Sequence, residues 1–289
     1  MPDPDSLHRF LFERTGVRGE LVYLDASWRA ILETHPYPDE VRRQLGEALA
    51  AVALLSCTIK FEGSLILQVQ GSGPLRTLVT QATHRRTVRG LARWEGPVPT
   101  GTLPQTFGEG RLVLTVQPLR GERYQGIVPL QGPNLSAALE TYFGASEQLA
   151  TRLWLASTAQ RAAGLRRHRR PAEHVSDEDW ERLGLLARPL TAKELIALPA
   201  TELIYRLFNE ETVRLFESEP VVFRCGCSQQ RIEHTLRAMG RAEVESILEE
   251  HGAVAGDCEF CNRRNRHDRI DALKLFALHP ALEAPATRH

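Results

Sequence analysis

The sequence predicts an α+β protein, because segments with a helical spacing of apolar residues stand beside runs of segments with the short period of β-strands. The chain has 289 residues, of which 42% are hydrophobic. That is more than one small domain needs, and it is enough to bury a substantial core. We therefore expect two domains and a connecting segment.

Helical and strand patterns alternate in the first part of the chain. From Asp39, which can cap a helix, apolar residues recur every three or four positions, at Val41, Leu45, Leu49, Val52 and Leu55. The period then shortens, and Gly and Pro residues separate five predicted strands, at 64–70, 75–82, 88–94, 112–118 and 124–130. Asn134 can cap a second helix, and 152–157 is predicted to be a further strand.

The charge balance and the N-terminus exclude several classes of protein. Lys plus Arg and Asp plus Glu number 36 each, so no overall field favours nucleic acid or an anionic membrane. The N-terminus lacks the basic start and apolar run of a secretory signal. The longest apolar run, 48–55, is far shorter than the ~20 residues that span a bilayer. These features predict a cytoplasmic protein with no membrane partner.

Residues 176–220 differ in character from the segments before them. They carry ten acidic and five basic residues, and Pro189 and Pro199 divide them into short helices. Two of these helices have clear start signals, Ser176 with Asp179 and the capping box of Thr191 with Glu194. Helices this short are marginal alone, so their apolar residues need a partner surface. Ordinary docking on the first domain and conditional docking both remain open.

Four of the five cysteines lie in the last quarter of the chain as two close pairs. Cys225 and Cys227 form a Cys-x-Cys pair, and Cys258 and Cys261 form a Cys-x-x-Cys pair. The two pairs can converge on one ion, and four thiolates suit tetrahedral Zn²⁺ better than an iron centre. Five cysteines in so long a chain are not typical of a secreted disulfide framework. The spacing therefore predicts one metal site in a reducing compartment.

The region that carries these pairs, 221–289, is too small to hold a stable core alone, so metal binding and folding should be coupled. Two short helices are predicted between the pairs, one capped by Ser228 and one ended by Gly252. Thiolates this close are also oxidisable, and either pair can close a short disulfide. On spacing alone, a structural zinc ribbon is the simpler interpretation, and an oxidation sensor is the alternative.

The other candidate side chains are predicted to have no role in metal binding or catalysis. With four cysteines available, His234, His251 and His267 are predicted to be surface residues and not metal ligands. Cys57 lies on the apolar helix that begins near Asp39, and this position is more typical of a buried small hydrophobe than of a nucleophile.

Longer motifs resemble those of one known family over nearly the whole chain. They are Phe-Arg-Cys-Gly-Cys-Ser at 223–228, Cys-Glu-Phe-Cys-Asn at 258–262, Gly-Ser-Gly-Pro at 71–74, Tyr-Gln-Gly-Ile at 124–127 and Tyr-Phe-Gly-Ala-Ser-Glu-Gln-Leu at 142–149. In these motifs, the sequence resembles the redox-regulated 33-kilodalton heat-shock chaperonin family, bacterial holdases with a zinc-centre switch.

The resemblance implies a role for the four cysteines. Cys225, Cys227, Cys258 and Cys261 would bind one Zn²⁺ per chain in the reduced, inactive state. On oxidation they would form two disulfides, Cys225 with Cys227 and Cys258 with Cys261, with release of zinc and unfolding of the linker. The resemblance also implies unfolding client proteins as partners, a homodimer in the active state and no use of ATP.

The resemblance divides the chain into three parts: a chaperone core domain at 1–175, a metastable helical linker at 176–220 and a four-cysteine zinc redox-switch domain at 221–289. Two stretches depart from the family pattern. Shortly after Cys261, where the family usually has aromatic residues, this chain has Asn265 and His267, which predicts different packing beneath the zinc module. Arg166, Arg167, His168, Arg169 and Arg170 stand where the family tends to be apolar. For this stretch we predict an exposed charged loop.

Two other functions compete with a holdase. The arginines at 166–170 and a zinc ribbon would suit a structural nucleic-acid-binding protein. However, residues 221–289 carry ten acidic and ten basic side chains, which offer phosphate no net attraction. A thiol oxidoreductase would use Cys258 and Cys261, but their motif lacks the usual βαβ context. No nucleotide-binding loop or nucleophile elbow occurs. We therefore predict a protein that is not an enzyme and has no nucleic-acid partner.

Overall fold

The computed structural model describes residues 4–57, 62–169, 175–227, 233 and 236–277. The chain divides into two compact units, Met1–Arg224 and Cys225–His289. The first unit contains two β-sheets with helices, and the second contains helices and a β-hairpin. The predicted α+β class is confirmed. Within the described residues, no helix is long and apolar enough to cross a membrane.

The first unit contains twelve strands and seven helices in its described residues. The strands are β1 (Ser6–Phe12), β2 (Arg18–Leu24), β3 (Gly63–Gly71), β4 (Leu75–Thr83), β5 (Thr87–Trp94), β6 (Gly110–Pro118), β7 (Tyr124–Pro129), β8 (Thr151–Ser157), β9 (Ala162–His168), β10 (Val213–Leu215), β11 (Glu219–Pro220) and β12 (Val222–Phe223). The helices are α1 (Ala26–Leu32), α2 (Asp39–Ser56), α3 (Leu103–Phe107), α4 (Leu135–Ala145), α5 (Asp177–Ala187), α6 (Ala192–Ala197) and α7 (Ala200–Phe208).

The strands form two six-stranded sheets. The first sheet has the order β10-β1-β2-β9-β8, with β11 also paired to β1, and its pairings are antiparallel. The second has the order β12-β5-β4-β3-β6-β7, with β12 parallel to β5 and the other pairings antiparallel. All five strands predicted between 64 and 130 are present, each within two residues of its predicted bounds.

Helix α2 forms the centre of the first unit, because it is buried on nearly all sides and packs against both sheets. Its first helical residue is Asp39, and its N-cap is Pro38 without a side-chain cap hydrogen bond, so the prediction that Asp39 caps this helix is wrong by one residue. A Cβ atom at Gly90 of β5 would lie 3.2 Å from Leu45, and one at Gly164 of β9 would lie 2.8 Å from Leu54. Glycine at these two positions therefore lets both sheets approach the helix closely.

Helices α5, α6 and α7, which we call the linker helices, pack against the outer face of the first sheet, opposite the face that contacts α2. Their buried side chains join those of the sheet in one apolar cluster. The rings of Phe12 and Phe208 meet edge to face with centroids 4.8 Å apart. The hydroxyl of Tyr23 donates to the carbonyl of Leu198 at 2.8 Å. The first sheet thus provides the partner surface that these short helices need.

The segment 176–220 is helical only in its first part. Ser176 and Thr191 cap α5 and α6 by accepting hydrogen bonds from the backbone N–H of Asp179 and Glu194, as predicted. After α7 the chain forms β10 and β11, which extend the first sheet beside β1. The sequence does not predict these strands, because two or three residues are too few to show a period.

The prediction of an exposed charged loop at 166–170 is wrong. Arg166, Arg167 and His168 lie in β9, between β2 and β8, and Arg166 is 0% exposed. Arg169 follows the strand, and Arg170 lies outside the described residues. Because successive residues of a strand point to opposite faces, Arg166 and His168 face α2, whereas Arg167 faces the linker helices. The sheet therefore buries positive charge on both faces.

Glu20 on β2 provides the negative charge opposite Arg166. The two residues are direct partners in the sheet register, and Oε2 of Glu20 lies 3.7 Å from Nη1 of Arg166. Oε1 of Glu20 lies 3.0 Å from Nε2 of His168. Burial acts to raise the pKa of Glu20, but Arg166 and His168 outweigh it and lower that pKa below its usual value. Glu20 is therefore ionised at neutral pH.

Replacing Glu20 with glutamine is expected to lower the stability of the protein at neutral pH but not in acid. Because the pKa of Glu20 is lower in the folded state, its charge stabilises the fold above its unfolded pKa of about 4.3, and this contribution is lost as the pH falls through the folded value. Urea unfolding of both proteins between about pH 3 and pH 7 measures the effect. A difference that stays constant with pH would show that ionisation of Glu20 is not its cause.

Candidate metal centre

The described part of the second unit contains α8 (Arg241–His251), β13 (Val254–Asp257), β14 (Arg264–His267) and α9 (Arg269–Ala277). Strands β13 and β14 pair as an antiparallel hairpin, with Asp257 opposite Arg264 at its end. The tip of this hairpin, 258–263, carries both cysteines of the Cys-x-x-Cys pair. The hairpin therefore positions Cys258 and Cys261 on one short turn.

Backbone hydrogen bonds shape the hairpin tip. The N–H of Cys258 donates to the carbonyl of Arg263 at 3.0 Å. The carbonyl of Cys258 accepts hydrogen bonds from the N–H groups of Cys261 and Asn262, at 3.3 and 2.7 Å. Asn262 has a φ of +54°, a left-handed conformation that asparagine tolerates better than most residues. The turn thus fixes the backbone at both cysteines.

The Cys-x-Cys pair meets this tip. Sγ of Cys225 lies 3.4 Å from Sγ of Cys258, and Sγ of Cys227 lies 3.3 Å from Sγ of Cys261. All four sulfurs lie within 4.8 Å of one another, and all four cysteines are free thiols. Tetrahedral zinc with Zn–S bonds of about 2.3 Å would hold its sulfurs about 3.8 Å apart. The cluster therefore has the size of a metal site, and the described residues contain no second cluster of this kind.

Three of these thiols, Cys225, Cys227 and Cys258, differ in how readily they ionise. Burial raises the pKa of Cys225 and that of Cys227. Burial also opposes ionisation of Cys258, but hydrogen bonds from the backbone N–H groups of Phe260 and Cys261 lower the pKa of Cys258 to about 7. A thiolate at Cys258 is therefore available near neutral pH. The thiolate is the form that binds metals and reacts with oxidants.

No histidine joins the cluster in the part of the chain that is described. His251, at the end of α8, is exposed as predicted. His267 is buried, so the prediction that it lies on the surface is wrong. Its position in β14 explains the burial, because α8 and α9 pack against the hairpin. His234 and Ser228, the predicted cap, lie outside the described residues.

In its described residues, the second unit has little apolar packing. The buried cluster among them consists of Leu236, Val244 and Leu248, with Val254 and Phe276 packed against them. As predicted, α8 ends at Gly252, whose φ of +72° closes the helix. A core this small supplies little stability. The sulfur cluster is therefore the principal cross-link between the hairpin tip and residues 225–227.

Cys57, the fifth thiol, follows the last residue of α2. It is partly buried against the core of the first unit, and its Sγ donates to the carbonyl of Ala53 at 3.7 Å. Burial, together with the nearby charge of Glu20, raises the pKa of Cys57 to about 12. Such a thiol is a poor nucleophile at neutral pH, which agrees with its assignment to structure.

Two motifs far from the cysteines in sequence meet in the first unit. The hydroxyls of Tyr124 and Tyr142 both donate to Oε1 of Glu147, at 3.2 and 2.8 Å. Gly126 leaves room for Tyr142, because a Cβ atom there would lie 2.0 Å from the Tyr142 hydroxyl oxygen. The motif at 71–74 forms the predicted turn between β3 and β4. These motifs therefore have structural roles.

Sequence reasoning missed one contact of the linker helices. The guanidinium carbon of Arg167 lies 4.0 Å from the centroid of the Trp180 ring, and that of Arg169 lies 5.3 Å from the same centroid. The contact depends on β9 directing Arg167 toward α5. No local signal in the sequence identifies it, because the strand itself was not predicted.

Fold and site together define an α+β protein with a four-thiol cluster of the size of a metal site. The sequence model of the family described as Hsp33 protein matches residues 5–268. The chain belongs to the Hsp33 protein family. A protein named 33 kDa chaperonin from Nitrosococcus oceani is 59% identical over 289 residues, which cover 100% of both chains. One of the same name from Pseudomonas paraeruginosa is 45% identical over 297 residues, again covering 100% of both.

A solved structure shares the fold. The crystal structure of a 33 kDa chaperonin from Thermotoga maritima matches with a TM-score of 0.82 and 21% identity, and the match covers 95% of this chain and 98% of that chain. The resemblance stated from the sequence motifs is therefore confirmed for the family and for the fold.

Proposed function

We propose that this protein is a redox-regulated, ATP-independent chaperone of the holdase type, which binds unfolding proteins and keeps them from aggregating. The observation that carries the proposal is the set of four free thiols, at Cys225, Cys227, Cys258 and Cys261, whose sulfurs lie within 4.8 Å of one another. Such a set can hold an ion when reduced and close disulfides when oxidised. Membership of the Hsp33 family and relatives named chaperonin support the chaperone activity.

One Zn²⁺ per chain is the cofactor that fits the four sulfurs. Thiolates are the usual ligands of structural zinc, and the spacing of the sulfurs suits a tetrahedral set. When bound, the ion supplies a cross-link between the hairpin tip and residues 225–227 and favours the thiolate form of its ligands. A shell of four protein ligands leaves no open position for a substrate. The donor set therefore favours a structural or regulatory role over a catalytic one.

Oxidation is proposed to join Cys225 to Cys227 and Cys258 to Cys261. For each pair, one molecule of hydrogen peroxide accepts two electrons from two thiolates. One S–S bond forms, the O–O bond breaks, and two protons are taken up to give two water molecules. Two such disulfides leave no thiolate to hold the ion.

The pairing of the disulfides decides what happens to the second unit. Disulfides within each pair leave the hairpin tip without a bond to residues 225–227. Disulfides across the pairs, along the contacts of 3.4 and 3.3 Å between sulfurs, would keep that bond. Release of structure on oxidation therefore requires pairing within each motif.

Loss of this cross-link is proposed to release the linker. In this proposal, residues 176–220 are a metastable linker between the chaperone core domain, 1–175, and the zinc redox-switch domain, 221–289. The linker helices cover an outer sheet face in which Phe10 and Leu21 are buried. Release of the helices would expose this face, and unfolding proteins would bind to it through the hydrophobic effect.

The proposal includes further properties of the active protein. It is a homodimer, and it binds clients without ATP, because oxidation drives the release of the linker. It works in the cytoplasm, where thiols stay reduced until an oxidant appears. It has no nucleic-acid partner. Burial of Arg166 and Arg167 supports this last point, because a nucleic-acid-binding protein would expose such residues to phosphate.

An aggregation assay on cysteine variants tests the proposal. Oxidised wild-type protein is expected to suppress the aggregation of a thermally unfolding client without ATP, and the reduced protein is not. The Cys258→Ser/Cys261→Ser variant cannot close that disulfide, so its activity is expected to be the same before and after oxidation. Cys57→Ser is the matched control and is expected to respond as wild type does. A full response to oxidant in the double variant would contradict the proposed switch.

A further inference from the structure

One end of the outer face of the first sheet is cationic. Arg167 points from β9 toward α5, Arg152 lies directly opposite it on β8, and Arg169 follows β9. Helix α5 brings the ring of Trp180 to both Arg167 and Arg169. Nη2 of Arg169 also donates to Oδ1 of Asp177 at 2.6 Å. The helix thus supplies an aromatic ring and a carboxylate to this end of the face.

Arg167 depends strongly on α5. Its side chain is buried, and its Nε and Nη1 atoms have no hydrogen-bond partner among the described residues. Burial and the positive charges of Arg152 and Arg169 lower the pKa of Arg167 to about 10, against the attraction of Glu181 on α5 and of Glu140 on α4. The face of the Trp180 ring is a favourable partner for this cation. A chain that replaces α5 without a ring or a carboxylate would leave Arg167 with Glu140, which is already paired with Arg152, as its acidic neighbour, and this buried charge would be poorly compensated.

The rest of the face is apolar. Phe10, Leu21 and Leu165 are buried beneath the linker helices. Helix α5 has the complementary pattern, with three acidic residues in its first turn, then Trp180, and then the buried Leu183. When α5 is removed, an apolar surface with a cationic end remains.

From this complementarity, we propose that the activated protein prefers client segments that resemble α5, with an aromatic residue beside carboxylates and with apolar residues along one side. The inference rests on the holdase function proposed above and adds a preference within it. Helix α5 is then an internal ligand that occupies the client surface until the linker is released. Segments with lysine beside the aromatic residue are disfavoured, because like charges meet.

Three fluorescent peptides test the preference. The first has the sequence of residues 176–188, the second has its four acidic residues replaced by lysine, and the third carries Trp180→Ala. Their binding to the oxidised full-length protein is measured by fluorescence anisotropy. At low salt, the first peptide is expected to bind about tenfold more tightly than either of the others. Its advantage over the lysine peptide should shrink in about 0.5 M salt, because salt screens the charges.

Substitutions in the protein test whether Arg167 and Arg169 cause the preference for acidic peptides. Arg167→Ala and Arg169→Ala are each expected to remove most of the difference between the acidic and lysine peptides. Arg167→Lys keeps the positive charge and is expected to retain part of that difference. This variant still tests the role of the charge if Arg167→Ala does not fold. Arg111→Ala is the matched control, because Arg111 is exposed on β6 of the second sheet. This control is expected to bind the peptides as wild type does.

Aggregation suppression is measured on the same oxidised samples, so that two kinds of failure can be told apart. Suppression together with equal binding of all three peptides would refute the preference and leave the holdase proposal standing. An oxidised protein that neither suppresses aggregation nor binds peptide would refute both. The reduced protein is expected to bind the first peptide at least about tenfold more weakly, because α5 occupies the face. Equal binding by the reduced and oxidised forms would refute the role of α5 as internal ligand.

Discussion

Removing the proposed zinc ion from the reduced protein with a strong chelator is expected to unfold the second unit while the first unit keeps its structure. The second unit has only a small buried apolar cluster around Val244 and Leu248 in its described residues. Folding of so small a core depends on the free energy of metal binding, which amounts to about 10–16 kcal/mol for zinc-finger peptides. The first unit has a large core around α2, so we expect chelation to leave it folded.

Hydrogen exchange with mass spectrometry measures this result for each element. Amides of α8 and of the β13–β14 hairpin are expected to lose protection on chelation, whereas those of α2 and β3 are expected to keep theirs. Added zinc should restore the lost protection, which controls for irreversible damage. Full protection of α8 without metal would show that the unit is stable by itself and would remove the physical basis of the switch.

Replacing Arg166 with methionine is expected to destabilise the first unit by about 3–5 kcal/mol, because the substitution leaves Glu20 buried without its principal counter-charge. Denaturant unfolding measures the loss. Arg111→Met, at an exposed position, is the matched control and is expected to change stability by no more than about 0.5 kcal/mol.

A double substitution checks the cause of this loss. Glu20→Gln/Arg166→Met removes both charges and is expected to be less destabilised than the sum of the two single variants. The nitrogen atoms of Arg166 have no hydrogen-bond partner among the described residues. Removing both charges together therefore breaks no hydrogen bond of Arg166 and leaves no unpaired buried charge. Additive losses would show that the two side chains do not stabilise each other.

The clustering of the four sulfurs was predictable from the sequence because the cysteines come in two local pairs. Cys225 with Cys227, and Cys258 with Cys261, are each brought together by one short turn or extended stretch, and four cysteines are a common ligand set of structural zinc. The strands of the second sheet were predictable for a similar reason. Their alternation of apolar and polar residues is continuous, and glycine and proline mark their ends.

Strand β9 was not predictable by the same means. Arg166, Arg167 and His168 interrupt its apolar pattern, and long charged side chains are rarely buried unless they have partners. The partners are Glu20 on β2, for Arg166 and His168, and Trp180 on α5, for Arg167. These contacts exist only after distant segments have come together.

The burial of His267 has the same explanation, because its place in the hairpin is set by tertiary packing. A histidine in a short segment with mixed polarity carries no signal that separates a surface position from a buried one. For the linker helices, by contrast, the sequence showed that such short helices need a partner surface, but it did not show which surface. In the structure, the partner is the outer face of the first sheet.

The most direct test of the central claim follows zinc and chaperone activity in one sample during oxidation with peroxide or hypochlorite. A chromogenic chelator measures the released zinc, and light scattering measures the aggregation of a thermally unfolding client. We expect one equivalent of zinc per chain to be released on the same time course as the gain in aggregation suppression, without ATP. Zinc that stays bound while activity appears, or that leaves with no gain in suppression, would contradict the switch and would leave the four cysteines as a structural site.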